Sequence, residues 1–367
     1  MKILVVGAGP VGSYVSRLLQ KKGKNLDITV IEEHPEVGKP VHCAGLVSTK
    51  VFSEISLPSL SKNLVLNKID GADFHFENES FRIRRKNAAF VINRKDFDIS
   101  LAEGLNIDFN TKFVGIEKNH KFFIVETDKR EYEADIVIGA DGANSLVRKV
   151  LNPSNSIQCL RGVQFRIESR QHESNFVQVY LTDESFAWVI PENYGIVRVG
   201  ILSDNPYKDL TDFIEKVGIK GAILEKFAGL VPIGSCLTQN QGLVLVGDAA
   251  CQVKPLTHGG IYYGMRCAEV LADCIINSKI NEYEKRWKAK FDREIQIGLK
   301  ARKFYQNLSR DNKKRIFKLL KNNVKILEKF GDFENHSRVI SALIKNPSLQ
   351  SFFGKVFISF LRNNSIP

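Results

Sequence analysis

The sequence predicts an α/β protein in which a discontinuous nucleotide-binding domain carries an inserted antiparallel-sheet domain and ends in a basic helical region. Three observations lead there. The chain opens on a short apolar strand, a glycine turn and a helix; the hydrophobic texture then changes twice between buried strands and alternating ones; and the last eighty or so residues are cation-rich and helical. At 367 residues the chain exceeds what one compact core usually reaches, so two domains and an appendage are expected.

Ile3 to Val6 reads as a buried strand, Val11 to Lys22 as a helix, and Ile28 to Ile31 as a second strand ending in Glu32-Glu33. From Asn63 to Ile83 the pattern shifts to alternating runs such as Phe74-His75-Phe76-Glu77 and Phe81-Arg82-Ile83-Arg84, expected for antiparallel strands. A helix is expected over Arg94 to Leu105, a hairpin across Phe113 to Glu126 and a buried strand over Ile136 to Ile138. A second alternating block runs from Gly162 to Leu202. Leu243 to Val246 is again a strand, followed by a loop and a long helix over Ile261 to Ile276. These textures assign residues 1–55, 86–155 and 240–285 to the nucleotide domain, 56–85 and 156–239 to the antiparallel-sheet domain, and 286–367 to the helical region.

A hydrophobic share of 43% and a charged share of 26% fit an ordinary soluble globular protein. The amino-terminal apolar run is too short for an export signal, and no stretch reaches the length of a membrane span. The greasy segment from Ser351 to Leu361 reads as a packed helix end. Cys43, Cys159, Cys236, Cys251, Cys267 and Cys274 show no paired spacing, which argues against a metal site or a disulfide framework and for a cytoplasmic address. The net charge of +12 is uneven: Asn281 to Phe330 holds 16 Lys or Arg against 6 Asp or Glu. Such a tract fits either a solvated helical face or peripheral contact with an anionic membrane; a nucleic-acid partner is not expected.

Gly7-Ala8-Gly9-Pro10-Val11-Gly12 is G-x-G-x-x-G directly after a strand and at the opening of a helix. Gly7 makes the tight turn, Gly9 lets the backbone approach a pyrophosphate, and Gly12 lets helix and sheet pack closely. The helix start adds free N–H groups and a positive dipole end. Glu32, twenty residues beyond Gly12, closes the second strand where a ribose would donate to its carboxylate. This unit alone does not separate FAD from NAD.

Two later segments separate them by resemblance. Ala134 to Arg148, with Asp141-Gly142 at its centre, resembles the Asp-Gly motif of the flavoprotein hydroxylase superfamily. Leu243 to Ala250, followed by Pro255 and Gly259-Gly260-Ile261, resembles its Gly-Asp motif. The resemblance implies FAD in a Rossmann-type domain of the hydroxylase-like FAD fold, with Asp248 on a ribityl hydroxyl and Gly260 and Ile261 offering N–H groups at a helix start. The alternative reading of Asp248 is a helix cap.

Within that superfamily the chain resembles the geranylgeranyl reductases, which include archaeal digeranylgeranylglycerophospholipid reductases. The run Glu32 to Ser48 carries the acid, Pro-Glu-x-Gly-Lys-Pro, Cys-Ala-Gly and Ser elements in order. Arg94-x-x-Phe97-Asp98 and Tyr283-Glu284-x-x-Trp287 are similar to two further family motifs, and Trp188 and Pro191 match its substrate-side signature. Asp183, Phe186 and Ile190 depart from that signature. The resemblance implies a cofactor set in which Val11, Cys43, Ala44, Gly45, Arg94 and Phe113 join Gly7, Gly9, Gly12, Glu32, Asp248, Gly260 and Ile261. Trp188 and Pro191 would stand on the substrate side.

The implied activity is saturation of prenyl C=C bonds in isoprenoid lipids by hydride from the reduced flavin. Cys43 fits either a proton donor or a backbone contact with the cofactor, and His42 and His258 are likewise candidates for the site whose alternative reading is a solvated or structural role. Only one dinucleotide fingerprint exists, so the electron donor is NAD(P)H docking transiently or a carrier protein such as ferredoxin. A flavin monooxygenase and a non-enzymatic prenyl-binding escort share these motifs and are the alternatives.

Overall fold

The computed structural model describes residues 1–55, 64–170 and 175–346. The chain enters as strand Lys2–Val6, turns at Gly7 with φ +101°, and continues as helix Pro10–Lys22 and strand Asp27–Ile31. These strands centre a six-stranded sheet whose order is Gln239–Asn240, Leu243–Leu245, Ile136–Gly139, Lys2–Val6, Asp27–Ile31 and Ile107–Asp108. All neighbours are parallel except the Gln239–Asn240 edge. Strands far apart in sequence share one sheet because the central ones, Lys2–Val6, Ile136–Gly139 and Leu243–Leu245, are apolar on both faces and need cover on both. One face packs under Pro10–Lys22 and Ile261–Ile276, with Tyr14, Leu19, Met265 and Leu271 buried between them. The other face is covered by a three-stranded sheet of Phe113–Lys118, Phe123–Thr127 and Glu131–Ala134. The expected hairpin thus has a third strand, whose Glu131-Tyr132-Glu133 stretch is too polar to stand out as one.

The second sheet has eight strands in the order Ile223–Ile233, Gln158–Glu168, Ile196–Leu202, Phe186–Asn193, Phe176–Leu181, Val65–Phe76, Glu79–Ile92 and Leu46–Ser48. Every pair is antiparallel except Phe176–Leu181 with Val65–Phe76, which run parallel. Strand Glu79–Ile92 carries this sheet past residue 86, and the expected helix after it is Arg94–Ala102, capped by the Asn93 side chain. Strand Ile223–Ile233 and helix Pro206–Val217 carry no clear mark in the sequence. The helix buries Leu210 against Phe165, Ile167 and Val199 and stops at Gly218, which holds φ +70°.

The period-two alternation of the strands divides this sheet into two faces. Phe165, Ile167, Val197 and Val199 form the side under helix Pro206–Val217. Val177, Val179 and Leu181, with Phe186, Trp188 and Ile190, face a cavity between the sheets.

Helices Tyr283–Gln306, Arg310–Asn322, Val324–Phe330 and His336–Lys345 complete the fold. Phe317 inserts its ring against Phe76 and Phe81 of the long hairpin. Part of the basic tract is neutralised there, Arg310 and Lys314 pairing with Glu77 and Lys318 and Lys321 with Glu79, while Arg286 pairs elsewhere with Asp273 and Glu282. The run Ser351 to Leu361 lies outside the described residues. Among the described residues no helix is long and apolar enough to cross a membrane.

Candidate active site: a cofactor cradle opening on an apolar chamber

One cavity of about 1440 Å³ runs between the two sheets and under the C-terminal helices. It is larger than the roughly 300 to 1,000 Å³ usual for one small ligand, which leaves space for a cofactor and a substrate together. At one end stand Gly7, Gly9, Val11, Glu32, Phe113, Asp248, Gly260 and Ile261; Cys43, Ala44 and Arg94 border the middle, and Trp188 faces the apolar end.

Three residues expected in the site stand behind its wall. Gly12 faces the sheet, where a Cβ would lie 2.0 Å from the Gly7 carbonyl oxygen, so its role is close packing. Gly45 holds φ +71° and backs onto Arg198, whose Nη1 would be 2.1 Å from a Cβ. Pro191 is buried beside Ile190 and accepts a hydrogen bond from Asn67 through its carbonyl; the side-chain alternation that turns Ile190 inward turns Pro191 away.

The cradle has free donors. Helix Pro10–Lys22 begins at Gly9 and helix Ile261–Ile276 at Gly260, and neither start has a side-chain cap. A Cβ at Gly9 would meet nothing within 4 Å, so the space above it is open. Two uncapped helix starts at one cavity suit a diphosphate and a polar ring edge. The Glu32 carboxylate is fixed by two backbone donors: its Oε2 accepts from Ala8 N at 2.8 Å and its Oε1 from His34 N at 3.1 Å. Asp248 is enclosed by protein yet faces the cavity, and burial raises its carboxyl to about 6 despite Arg94 and Arg148 nearby. Asp141, by contrast, is spent within the chain, accepting from Ser145 Oγ, Leu146 N and Val147 N at the start of helix Leu146–Leu151.

Arg94 opens helix Arg94–Ala102 and donates through Nη2 to both oxygens of Asp98 at 3.0 and 2.9 Å. Burial opposes its charge, and Asp98 together with the Cys43 sulfur offsets that and keeps the guanidinium protonated. Its Nε is buried without a partner, a donor left over for a ligand. Cys43 Sγ accepts from Gly45 N at 3.3 Å, so the thiol proton is not committed to that contact. These features fit FAD. The Gly7–Gly12 turn and Gly260 would hold its phosphates and ring edge, Glu32 and Asp248 its sugar hydroxyls, and the Cys43–Gly45 loop would lie against the ring.

Several positioning residues escape a reading of the sequence. Arg198 donates to the carbonyls of Ala44 (2.7 Å) and Ile92 (3.2 Å) and is itself held by Glu192 at 2.8 Å, which also pairs with Arg166. It therefore fixes the Cys43–Gly45 loop from behind. A lone arginine in the otherwise apolar Ile196–Leu202 strand is the mark that signals it. Arg148 donates to the carbonyls of Asp248, Ala249 and Ala143, tying the Asp-Gly segment to the Gly-Asp segment.

The apolar end is lined by Gly331, Asp332, Phe333, Glu334 and His336. Lys254 forms a buried ion pair with Glu334 at 2.9 Å and donates to the Phe333 carbonyl at 2.8 Å; Lys50 pairs with Asp332 at 3.0 Å. Phe333 packs on the cluster of Ile69, Ala89, Val91, Val177 and Ile190, with the Lys254 ammonium 4.3 Å from its ring centroid. His258, in the left-handed region at φ +63°, stacks on Phe186 and shares a hydrogen bond between Nε2 and Ser185 Oγ; burial lowers it to about 3 and keeps it neutral. His42 is exposed and engaged with the Ala228 carbonyl through Nδ1.

Fold and site together define a flavoprotein oxidoreductase of hydroxylase-like architecture with an apolar substrate chamber. The NAD(P)-binding Rossmann-like domain family matches residues 5–50. A digeranylgeranylglycerophospholipid reductase of Methanococcoides burtonii is 30% identical, covering 84% of each chain. An uncharacterized protein of Methanocaldococcus jannaschii is 31% identical over 94% of this chain and 95% of its own. Among solved structures, a geranylgeranyl bacteriochlorophyll reductase-like protein from Thermoplasma acidophilum superposes with a TM-score of 0.82 at 24% identity, covering 97% of this chain and 98% of that one. The chain belongs to the digeranylgeranylglycerophospholipid reductase family, and it is an FAD-dependent oxidoreductase.

Proposed function

We infer that the chain saturates C=C bonds in the prenyl chains of isoprenoid phospholipids. The observation that carries this is the continuity of the cavity: a polar cradle with two uncapped helix starts passes, at Cys43 and Ala44, into a chamber walled by Val177, Val179, Leu181, Phe186, Trp188 and Ile190. Bound FAD, once reduced, supplies hydride to the alkene. The protein's part is to hold the chain in register and exclude water, and apolar walls do both for a substrate with no polar handle. Cys43 stands at the junction and serves as proton donor, with the Arg94 cation compensating the charge left on sulfur. Trp188 is braced by its Nε1 bond to Gln164 Oε1 at 2.9 Å and gives the alkene a fixed surface.

Electrons reach the flavin from transiently docked NAD(P)H or from a carrier such as ferredoxin, since a single dinucleotide turn is fully assigned to FAD. The basic C-terminal region brings the enzyme to the anionic membrane that contains its substrate. Expression in a host that makes unsaturated diprenyl phospholipids tests the reading: lipid mass spectra should gain one H₂ per reduced bond. A yellow, folded protein that leaves the lipids unchanged while consuming oxygen with an added substrate would overturn it in favour of a monooxygenase.

A further inference from the structure

Helices Val324–Phe330 and His336–Lys345 form a wall with two faces. Inward, Leu327 and Val339 line the cavity. Outward, Ile326, Phe330 and Ala342 form a shallow apolar groove with Arg338 and Lys345 at its rim. Phe330 is 37% and Ile344 49% exposed, unusual for such side chains. Lys325, Lys329, Arg338 and Lys345 are all exposed on these two helices.

Charge on this wall differs from that on the helix before it. Lys314, Lys318 and Lys321 are matched by Glu77 and Glu79. Lys325, Lys329 and Lys345 have no ion pair among the described residues, and Arg338 reaches only the buried Asp332 at 3.9 Å. The nearby Glu328 is turned inward to accept from Arg84 N. From His336 to residue 367 the sequence contains no Asp or Glu, four Lys or Arg, and the apolar run Phe352, Phe353, Val356, Phe357, Ile358, Phe360 and Leu361. Cations beside the exposed Phe330 and Ile344, three of them without an ion pair among the described residues, complement an anionic lipid surface: head groups take the charge and the interface takes the apolar groups.

We propose that the outer face of Val324–Phe330 and His336–Lys345 docks on an anionic bilayer and sets the apolar end of the cavity against the membrane, so that the prenyl chain enters from the lipid phase past this wall. The proposal rests on the prenyl-lipid reading and adds the surface by which the substrate is met. Each cation near an anionic surface raises partitioning about fivefold, the equivalent of about 1 kcal/mol. Reversing four of them should lower vesicle binding by at least a hundredfold.

The test compares the full-length holoenzyme with two variants. One carries Lys325→Glu, Lys329→Glu, Arg338→Glu and Lys345→Glu; the other carries Lys285→Glu, Lys290→Glu, Lys300→Glu and Lys303→Glu on the exposed side of helix Tyr283–Gln306. Sedimentation with vesicles of phosphatidylcholine and phosphatidylglycerol should be lost in the first and retained in the second. The first should still reduce detergent-dispersed prenyl phospholipid at the normal rate but lose turnover of the same lipid in vesicles. Absence of wild-type binding, retained binding in the first variant, or equal loss in both would overturn the proposal. Failure to reduce the lipid in either form, with sedimentation behaving as stated, would instead overturn the prenyl-reductase reading.

Discussion

Asp248→Asn should move apoprotein stability and flavin retention in opposite directions. Burial lifts the Asp248 carboxyl from its ordinary 3.8 to about 6, so the folded protein binds a proton more tightly than the unfolded chain does. A carboxyl raised in the folded state is neutral in both states below about 4. As pH climbs from about 4 to about 6 it ionises first in the unfolded chain, and stability falls through that window. A shift of about two units corresponds to about 3 kcal/mol, which water in the open cavity should reduce to about 1 to 3 kcal/mol. Asparagine carries no such charge. Urea denaturation of the two apoproteins from pH 4 to 7.5 should therefore give equal stabilities near pH 4 and an advantage for the amide variant that grows to that size by pH 7. Flavin retention at pH 7 should fall, because the amide cannot match a carboxylate as acceptor for a sugar hydroxyl. A stability difference that is flat with pH would refute the burial argument. Undiminished flavin retention would refute the sugar contact.

Other outcomes follow from the same geometry. Glu32→Ala should weaken FAD retention by about 1 to 3 kcal/mol, the range for losing a hydrogen bond to a charged acceptor, measured as flavin occupancy during dialysis. Gly12→Ala places a Cβ 2.0 Å from the Gly7 carbonyl oxygen; the helix must move off the strand, and both melting temperature and flavin content should fall, by about 1 to 3 kcal/mol in stability. Cys43→Ala should keep its flavin but slow anaerobic single-turnover oxidation by prenyl lipid by the order of 10² to 10⁴, the contribution of a positioned acid. A normal single-turnover rate there would leave Cys43 as wall rather than acid.

What could be read from the sequence is what depends on neighbours in the chain. Strand, glycine turn and helix from Ile3 to Lys22 are set by local periodicity and backbone freedom, and the same is true of Leu243 to Ile276, so both were legible. The third strand of the small sheet was not, because Glu131-Tyr132-Glu133 lies on a surface sheet and lacks an apolar signature. Gly45 and Pro191 fell outside the cavity for a related reason: a motif fixes which residues are present, while the direction of each side chain depends on register and on what packs behind. The basic tract shows the same limit with larger consequences. Sixteen cations between Asn281 and Phe330 count as one block in sequence, yet the long hairpin of the second sheet places Glu77 and Glu79 against four of them.

The closure of the apolar chamber depends on contacts of still longer range. Lys254 meets Glu334 eighty residues on, and Lys50 meets Asp332 across almost the whole chain. A buried pair of this kind contributes little net stability, since desolvation of both charges offsets their attraction. Its effect is positional: with the Lys254 ammonium on the Phe333 carbonyl and the Asp332 carboxylate on Lys50, the segment is held where the Phe333 ring packs on the cluster around Ile69, Val91 and Ile190. Removing one partner leaves the other charged and buried, so Glu334→Ala is expected to loosen residues 331–336 rather than simply subtract a contact. The wall beside the chamber therefore owes its position to groups far apart in the chain, Lys50 at the start of helix Lys50–Ser53, Lys254 in the loop before helix Ile261–Ile276, and the segment leading into the last helix.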